Sequence, residues 1–289
     1  MPRTLKDYTN TTGKPNWCPG CGNYGIEAAL KSAFAKLDLD PDGIAFVGGI
    51  GCGGNAPYWF SSYGIITLHG RSLPVATGIK LADHKLNVVA WAGDGDGYGI
   101  GMGHFIHSMR RNANILYIVG DNTVYGLTKG QASPTARKGT KTPSTPFGSP
   151  DPNLSPIALA LATGCSFVAR GYAGNLPHLT NLIMEGIKHK GFALIDILQP
   201  CVTYAKDIGY EFYQQRTYDL AAAGHNASDK KAAYERLSEE PDKFPIGIFY
   251  KEERGVYEDE QPQFSSGPLT AHDISNVDIN PVFEEYSVG

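Results

Sequence analysis

One carboxylate, one amide and five thiols are the side chains in this sequence best suited to chemistry. GDGDGYG, residues 93–99, sets Asp94 among glycines, and twenty-six residues separate Gly95 from Asn122 in VGDN. A carboxylate and an amide oxygen are hard ligands suited to Mg²⁺, an ion usually shared with the phosphates of a substrate or cofactor. The glycines of the run let backbone N–H groups approach a diphosphate near the start of a following helix. Asp and Asn are also common turn residues, so each half alone reads equally well as a capped turn. The succession of strand, GDG, helix, strand and Asn is what makes the pair specific.

The thiols are Cys18 and Cys21 in NWCPGCGNYG, Cys52 in GIGCGG, Cys165 in TGCSFV and Cys201 in QPCVTY. By itself the Cys-x-x-Cys pair is open to three readings: a redox dithiol, half of a zinc site, or part of a larger metal centre. A thioredoxin-like dithiol would follow a strand directly, and here only a polar stretch precedes it. The second Cys-x-x-Cys that most zinc ribbons need is absent, although four thiolates could still hold zinc on ligand count. Cys165 opens a buried strand and reads as a small core residue. GIGCGG matches the G-x-G-x-x-G fingerprint literally. The match lacks the acidic residue that fingerprint needs about 20 positions on, and NAPYWF follows in place of a helix. Its glycines are better read as presenting Cys52.

The elements that must position these groups alternate. Ile26, Ala29, Leu30, Ala33, Phe34 and Leu37 share one helical face, with Asn23 as the expected N-cap and Glu27 near the positive end of the dipole. IAFVG, NVVAWAG, NILYIVGDN, CSFVARG and FALIDILQPC read as buried strands. LPVATGIKLADHK, Gly99–Arg111, SPIALALATG and NLPHLTNLIMEGIKHKG read as the helices between them. This predicts an α/β fold with a parallel sheet covered by helices on both faces. Ligands in such sheets bind beyond the C-terminal strand ends, where the glycine-rich and polar motifs fall. Residues 123–153 read as a long loop whose ionic residues before Asp151 are all basic (Lys129, Arg137, Lys138, Lys141): a solvated surface loop or a lid over an anion. Two amphipathic helices and the strand IGIFY follow Asp207. The expected division is one domain over residues 1–250 and an acidic tail over 251–289 that is disordered or packs on a partner subunit.

The 289 residues are 42% hydrophobic and 19% charged, with a net charge of −4. That is an ordinary globular balance, and the lack of a dense Lys/Arg block argues against a nucleic-acid partner. No apolar run approaches a membrane span, and the polar N-terminus lacks a signal-peptide core, so a cytoplasmic protein away from membranes is expected.

WCPGCG, GIGC, TLHGRSLPVATGIKLA, GDGDGYGIG, DNTVYGLTKGQASPT and QPCVTY together resemble the β subunit of 2-oxoacid:ferredoxin oxidoreductases, over about residues 16–257. GDG-x26-N is similar to the thiamin diphosphate signature, which implies that family's cofactor-binding fold. The resemblance implies Mg²⁺ on Asp94, Asn122 and the Val124 carbonyl. It implies a [4Fe–4S] cluster on Cys18, Cys21, Cys52 and Cys201, four thiolates being what such a cluster needs. It places Gly51, His69, Gly93, Gly95, Asp96, Gly126 and Leu127 beside the cofactor and gives His69 and Lys129 candidate catalytic roles. Without it, His69 and Arg71 read as packed or capping residues, Lys129 as a surface lysine, and Asp96 as either a loop anchor or a residue facing water. Gly53 and Ala205–Lys206 depart from the polar residues common at those places in the family.

The implied reaction is the CoA-dependent oxidative decarboxylation of a 2-oxoacid to an acyl-CoA and CO₂, or its reverse, with ferredoxin as electron partner. 2-Oxoglutarate is favoured over pyruvate because of Lys129 and the basic loop. The glutamate that touches the cofactor's aminopyrimidine would come from a partner α subunit. Two other readings stand beside this one. A non-oxidative thiamin-dependent decarboxylase or synthase leaves the four cysteines unexplained, and a non-catalytic electron-transfer module leaves the Asp94–Asn122 pair unexplained.

Overall fold

The structure, a computed structural model, describes residues 2–287. Its strands are β1 (Ile44–Gly48), β2 (Tyr63–Ile66), β3 (Asn87–Gly93), β4 (Leu116–Asp121), β5 (Val124–Tyr125), β6 (Gln131–Ala132), β7 (Phe167–Tyr172), β8 (Ala193–Leu198), β9 (Thr217–Asp219) and β10 (Phe244–Lys251). The α-helices are α1 (Asn23–Lys36), α2 (Ser72–Ala82), α3 (Met102–Arg111), α4 (Pro156–Ala162), α5 (Leu176–Lys188), α6 (Tyr210–Arg216), α7 (Lys230–Leu237) and α8 (Asn280–Tyr286).

Eight strands form one sheet in the order β2-β1-β3-β4-β8-β7-β10-β9. Every pairing is parallel except β10 on β7. The inner strands are buried along nearly their whole length because both faces are covered, which is why they read as unbroken apolar runs. Successive side chains alternate between two cores. Phe46, Val89, Trp91, Leu116 and Ile118 join α1 and α5 on one face. Ala45, Val47, Val88, Ala90, Tyr117 and Val119 join α2, α3, α4 and α7 on the other. The chain leaves β1 toward β2 and leaves β3 toward β4, on opposite sides, so the C-terminal ends of β1 and β3 flank the switch point where α/β sheets hold ligands.

Several expectations are corrected. Asn23 is the first residue of α1 and caps nothing: the cap position falls on Gly22, in helical conformation, and both polar atoms of the Asn23 side chain lack a partner. Glu27 instead pairs with Lys31 at 2.7 Å. The expected helix from Gly99 is replaced by a π-helical turn at Gly95–Ile100, within the glycine run, followed by α3. The long loop contains the β5–β6 hairpin. β2, β9 and α8 are additional elements. The tail divides: Val256, Glu258 and Phe264 are buried against this chain, whereas Ile274, Val277, Ile279, Val282, Phe283 and Tyr286 are exposed. Among the described residues no helix is long and apolar enough to cross a membrane.

Candidate active site

Parallel register sets the site. Gly93 pairs with Gly120, so Asp94 and Asn122 leave neighbouring strand ends almost level with each other. Asp94 is 1% exposed, and its Oδ2 accepts from the Thr123 backbone N–H (3.0 Å), Ser133 Oγ (2.5 Å) and Thr135 Oγ1 (2.7 Å). Asn122 Oδ1 accepts from the Val124 N–H at 3.1 Å. Between them Thr123 holds φ at +65°, a left-handed conformation costly for a β-branched residue. The hydrogen bonds from Thr123 to Asp94 and from Val124 to Asn122 hold that turn, and strain maintained by its surroundings is a common mark of a functional site.

Burial raises the Asp94 pKa, opposed by its bonds to Ser133 and Thr135. Asp121, behind it, is raised well above the carboxylate range by burial and by the charges of Asp196 and Asp94. A dication held by Asp94 would favour its carboxylate form against the burial that raises its pKa.

Glycines shape the cavity above these residues. The ring of Tyr125 lies so close to Gly95 that a Cβ there would collide with it, and a Cβ on Gly49 would collide with Asp96 Oδ2. Gly51 and Gly93 differ. Both line the cavity, and a Cβ on either meets nothing in the protein within 4 Å, so a methyl would stand in the space itself. Backbone exposed in this way is what close approach to a diphosphate requires. Asp96 does not face water: it is 2% exposed, accepts from Gly70 N–H at 2.7 Å, and lies 2.6 Å from His69 Nδ1. It thereby ties the His69–Arg71 loop to the glycine run. His69, Val124, Gly126 and Leu127 line the cavity with Asp94 and Asn122. Lys129, at φ +79°, is exposed on the hairpin turn and is absent from the cavity wall. Lys138 and Lys141 are likewise exposed.

Cys18, Cys21, Cys52 and Cys201 are free thiols around an adjoining cavity of about 230 Å³. Burial pushes the Cys21 thiol up to about 11, and the neighbouring Cys52, Cys201 and Cys18 add to the rise. Burial likewise raises Cys52. Thiols gathered in this way are poorly placed to ionise without a cationic centre among them. Among the described residues no three His, Cys, Asp or Glu side chains stand close enough to hold one metal ion. Four thiols around one cavity are a donor set that fits either an iron–sulfur cluster or zinc by ligand count. Cys165 is fully buried in the opposite core, with its thiol raised by burial to about 12.

Residues outside the expected set complete the site. Asn23, 1% exposed with both amide atoms unpartnered, lines the cavity beside Asp94, as does Trp91. A buried amide with no partner is rare and calls for an explanation such as a ligand. Gln199, 2% exposed, lines both cavities, as do Cys52, Asn122, Gly126 and Leu127. A capping reading hid Asn23, whereas Gln199 stood beside a recognised cysteine with no signal of its own.

The family model described as thiamine pyrophosphate enzyme, C-terminal TPP binding domain, matches residues 49–197. The model for the C-terminal part of the pyruvate ferredoxin oxidoreductase beta subunit matches residues 201–266. A 2-oxoacid:ferredoxin oxidoreductase subunit beta from Saccharolobus solfataricus is 44% identical over 283 residues, 92% of each chain. A 2-oxoglutarate synthase subunit KorB from Archaeoglobus fulgidus is 39% identical, over 71% of this chain and 77% of that one. A solved 2-oxoglutarate:ferredoxin oxidoreductase from Magnetococcus marinus, with 2-oxoglutarate, coenzyme A and succinyl-CoA bound, superposes with a TM-score of 0.89 at 36% identity. The match covers 99% of this chain and 97% of that one.

Proposed function

Since the chain belongs to the β subunits of the 2-oxoacid:ferredoxin oxidoreductases, we propose that it holds thiamin diphosphate through Mg²⁺ and carries a [4Fe–4S] cluster beside it. In this reading it oxidises 2-oxoglutarate with coenzyme A and passes the electrons to ferredoxin, or runs the reverse. The observation that carries this is the shared wall: Cys52, Asn122, Gly126, Leu127 and Gln199 face both the glycine-lined cavity and the four-thiol cavity.

When bound, thiamin diphosphate would supply the carbanion chemistry for decarboxylation, and the cluster would accept electrons. The chain supplies position. All three hydrogen bonds from the Thr123–Thr135 segment fall on Asp94 Oδ2, which leaves Oδ1 for the metal with Asn122 Oδ1 and the Val124 carbonyl. Gly51 and Gly93 leave room for the diphosphate. His69, with Nδ1 2.6 Å from Asp96 Oδ1, lines the same cavity. Cys18, Cys21, Cys52 and Cys201 supply four thiolates, and Thr203 Oγ1 donates to Cys18 Sγ at 3.2 Å. Lys129, exposed on the rim, would meet an anionic substrate only in the assembled enzyme.

A β subunit works with an α subunit. Among the described residues no glutamate lines the cavity, which supports an aminopyrimidine glutamate donated by that partner. The exposed apolar residues of the tail, Ile274 to Tyr286, are the surface we assign to it.

The test is turnover. The two-subunit enzyme should reduce ferredoxin with 2-oxoglutarate and coenzyme A, and this chain alone should not. Release of an aldehyde without any electron acceptor would favour the non-oxidative alternative, and turnover by the isolated chain would defeat the shared active site.

A further inference from the structure

Asn122 lines both cavities and Cys21 only the four-thiol one, and one side chain touches both residues. Gln199 Oε1 accepts from Asn122 Nδ2 at 3.0 Å, and Gln199 Nε2 donates to Cys21 Sγ at 3.4 Å. The direction of this chain is not arbitrary. It begins at the Val124 backbone N–H, which can only donate, and which bonds Asn122 Oδ1 at 3.1 Å. The amide nitrogen of Asn122 therefore faces Gln199, the oxygen of Gln199 faces Asn122, and the nitrogen of Gln199 faces the sulfur. Gln199 has little freedom to leave this arrangement. Its own N–H bonds the Asp121 carbonyl at 2.8 Å. A Cβ on Gly22 would come within 2.8 Å of its Cγ, and one on Gly120 within 3.1 Å of its Oε1, so two glycines shape the slot that holds it.

We propose that Gln199 is a positioning residue that couples the two centres. It fixes the Asn122 amide with its oxygen toward the metal position, and it donates a hydrogen bond to the Cys21 thiolate that raises the cluster's reduction potential. Hydrogen bonds to cluster sulfurs set iron–sulfur potentials, and partners behind a metal ligand set its orientation. One glutamine thus ties the affinity of the cofactor's metal to the ease with which the neighbouring cluster accepts an electron.

The inference rests on the four-cysteine and Asp94–Asn122 reading, so the wild-type two-subunit enzyme is assayed first for iron, sulfide and Mg²⁺-dependent thiamin diphosphate binding. Absence of these defeats that reading and with it the coupling, whereas their presence leaves the variants to test Gln199 alone. Gln199→Met removes both bonds. It should lower the cluster midpoint potential in an EPR-monitored redox titration and raise several-fold the Mg²⁺ concentration that half-saturates cofactor binding, read by tryptophan fluorescence. Gln199→Glu, of the same shape, can still accept from Asn122 but as a carboxylate cannot donate to sulfur. It should lower the potential while retaining Mg²⁺-dependent binding, and it carries the test if the methionine variant fails to assemble a cluster. A wild-type potential in both variants, or an unchanged Mg²⁺ requirement in a cluster-containing Gln199→Met enzyme, would overturn the coupling.

Discussion

A methyl group on Gly93 would occupy the space where the diphosphate is proposed to sit and would touch nothing else in the protein. Gly93→Ala should therefore leave the melting temperature of the cofactor-free chain nearly unchanged and weaken thiamin diphosphate binding by about tenfold or more, as steric loss of roughly 1.4 kcal/mol implies. Calorimetric titration checks this, and wild-type affinity in the variant would move the diphosphate elsewhere. Away from the site, His189 is 6% exposed, with Nε2 2.7 Å from Ser166 Oγ. Burial, with help from Lys251, lowers its pKa from 6.5 to about 4. The folded chain keeps the ring neutral where the unfolded chain takes a proton. His189 therefore contributes stability that is intact above pH 6.5 and is lost as the pH falls toward 4, amounting to about 3 kcal/mol. Urea unfolding across that window should show the slope in the wild type and a flatter one in His189→Gln.

At the scale of elements, the β5–β6 hairpin and the residues after it serve to clamp Asp94. Thr135 Oγ1 bonds both Asp94 Oδ2 and Asp121 Oδ1 at 2.7 Å. Thr135→Val removes a hydroxyl that donates its one proton to one of these buried carboxyl groups and is a polar partner to the other. It should destabilise the metal-free chain by about 1–3 kcal/mol and raise the Mg²⁺ requirement for cofactor binding. An unchanged requirement would separate the clamp from the metal. The clamp also marks the limit of what local sequence encodes. Asp94 and Asn122 were legible because a buried strand ending in GDG and another ending in Asn place them by topology alone. The hairpin was not, since two-residue strands carry no periodicity, and a left-handed threonine runs against propensity and is held only by tertiary bonds. β2 escaped notice because, as an edge strand with mostly exposed residues, it has no buried face to mark it. Asn23 was misassigned for a related reason: a polar residue at a helix start looks like a cap until the cavity above it is seen. Gln199 depends on three segments far apart in the chain, and no local pattern encodes that meeting.

For the whole molecule, the two cores and the parallel sheet follow from the strand–helix alternation. Their consequence for function is the switch point at which β1 and β3 diverge beside β4 and β8. Cys52 follows β1, Asp94 follows β3, Asn122 follows β4, and Gln199 and Cys201 follow β8, so four adjacent strand ends deliver both halves of the site to one rim. Cys18 and Cys21, just before α1, close the ring of thiols. The proposed chemistry depends on what those thiols hold. The most direct measurement is the iron, acid-labile sulfide and zinc content of the anaerobically purified chain, repeated with serine in turn at Cys18, Cys21, Cys52 and Cys201 and with Cys165→Ser as control. Four irons and four sulfides per chain, lost in the first four variants and kept in the control, are the expected result. One zinc and no sulfide would contradict it and leave a thiamin-dependent fold with a structural metal.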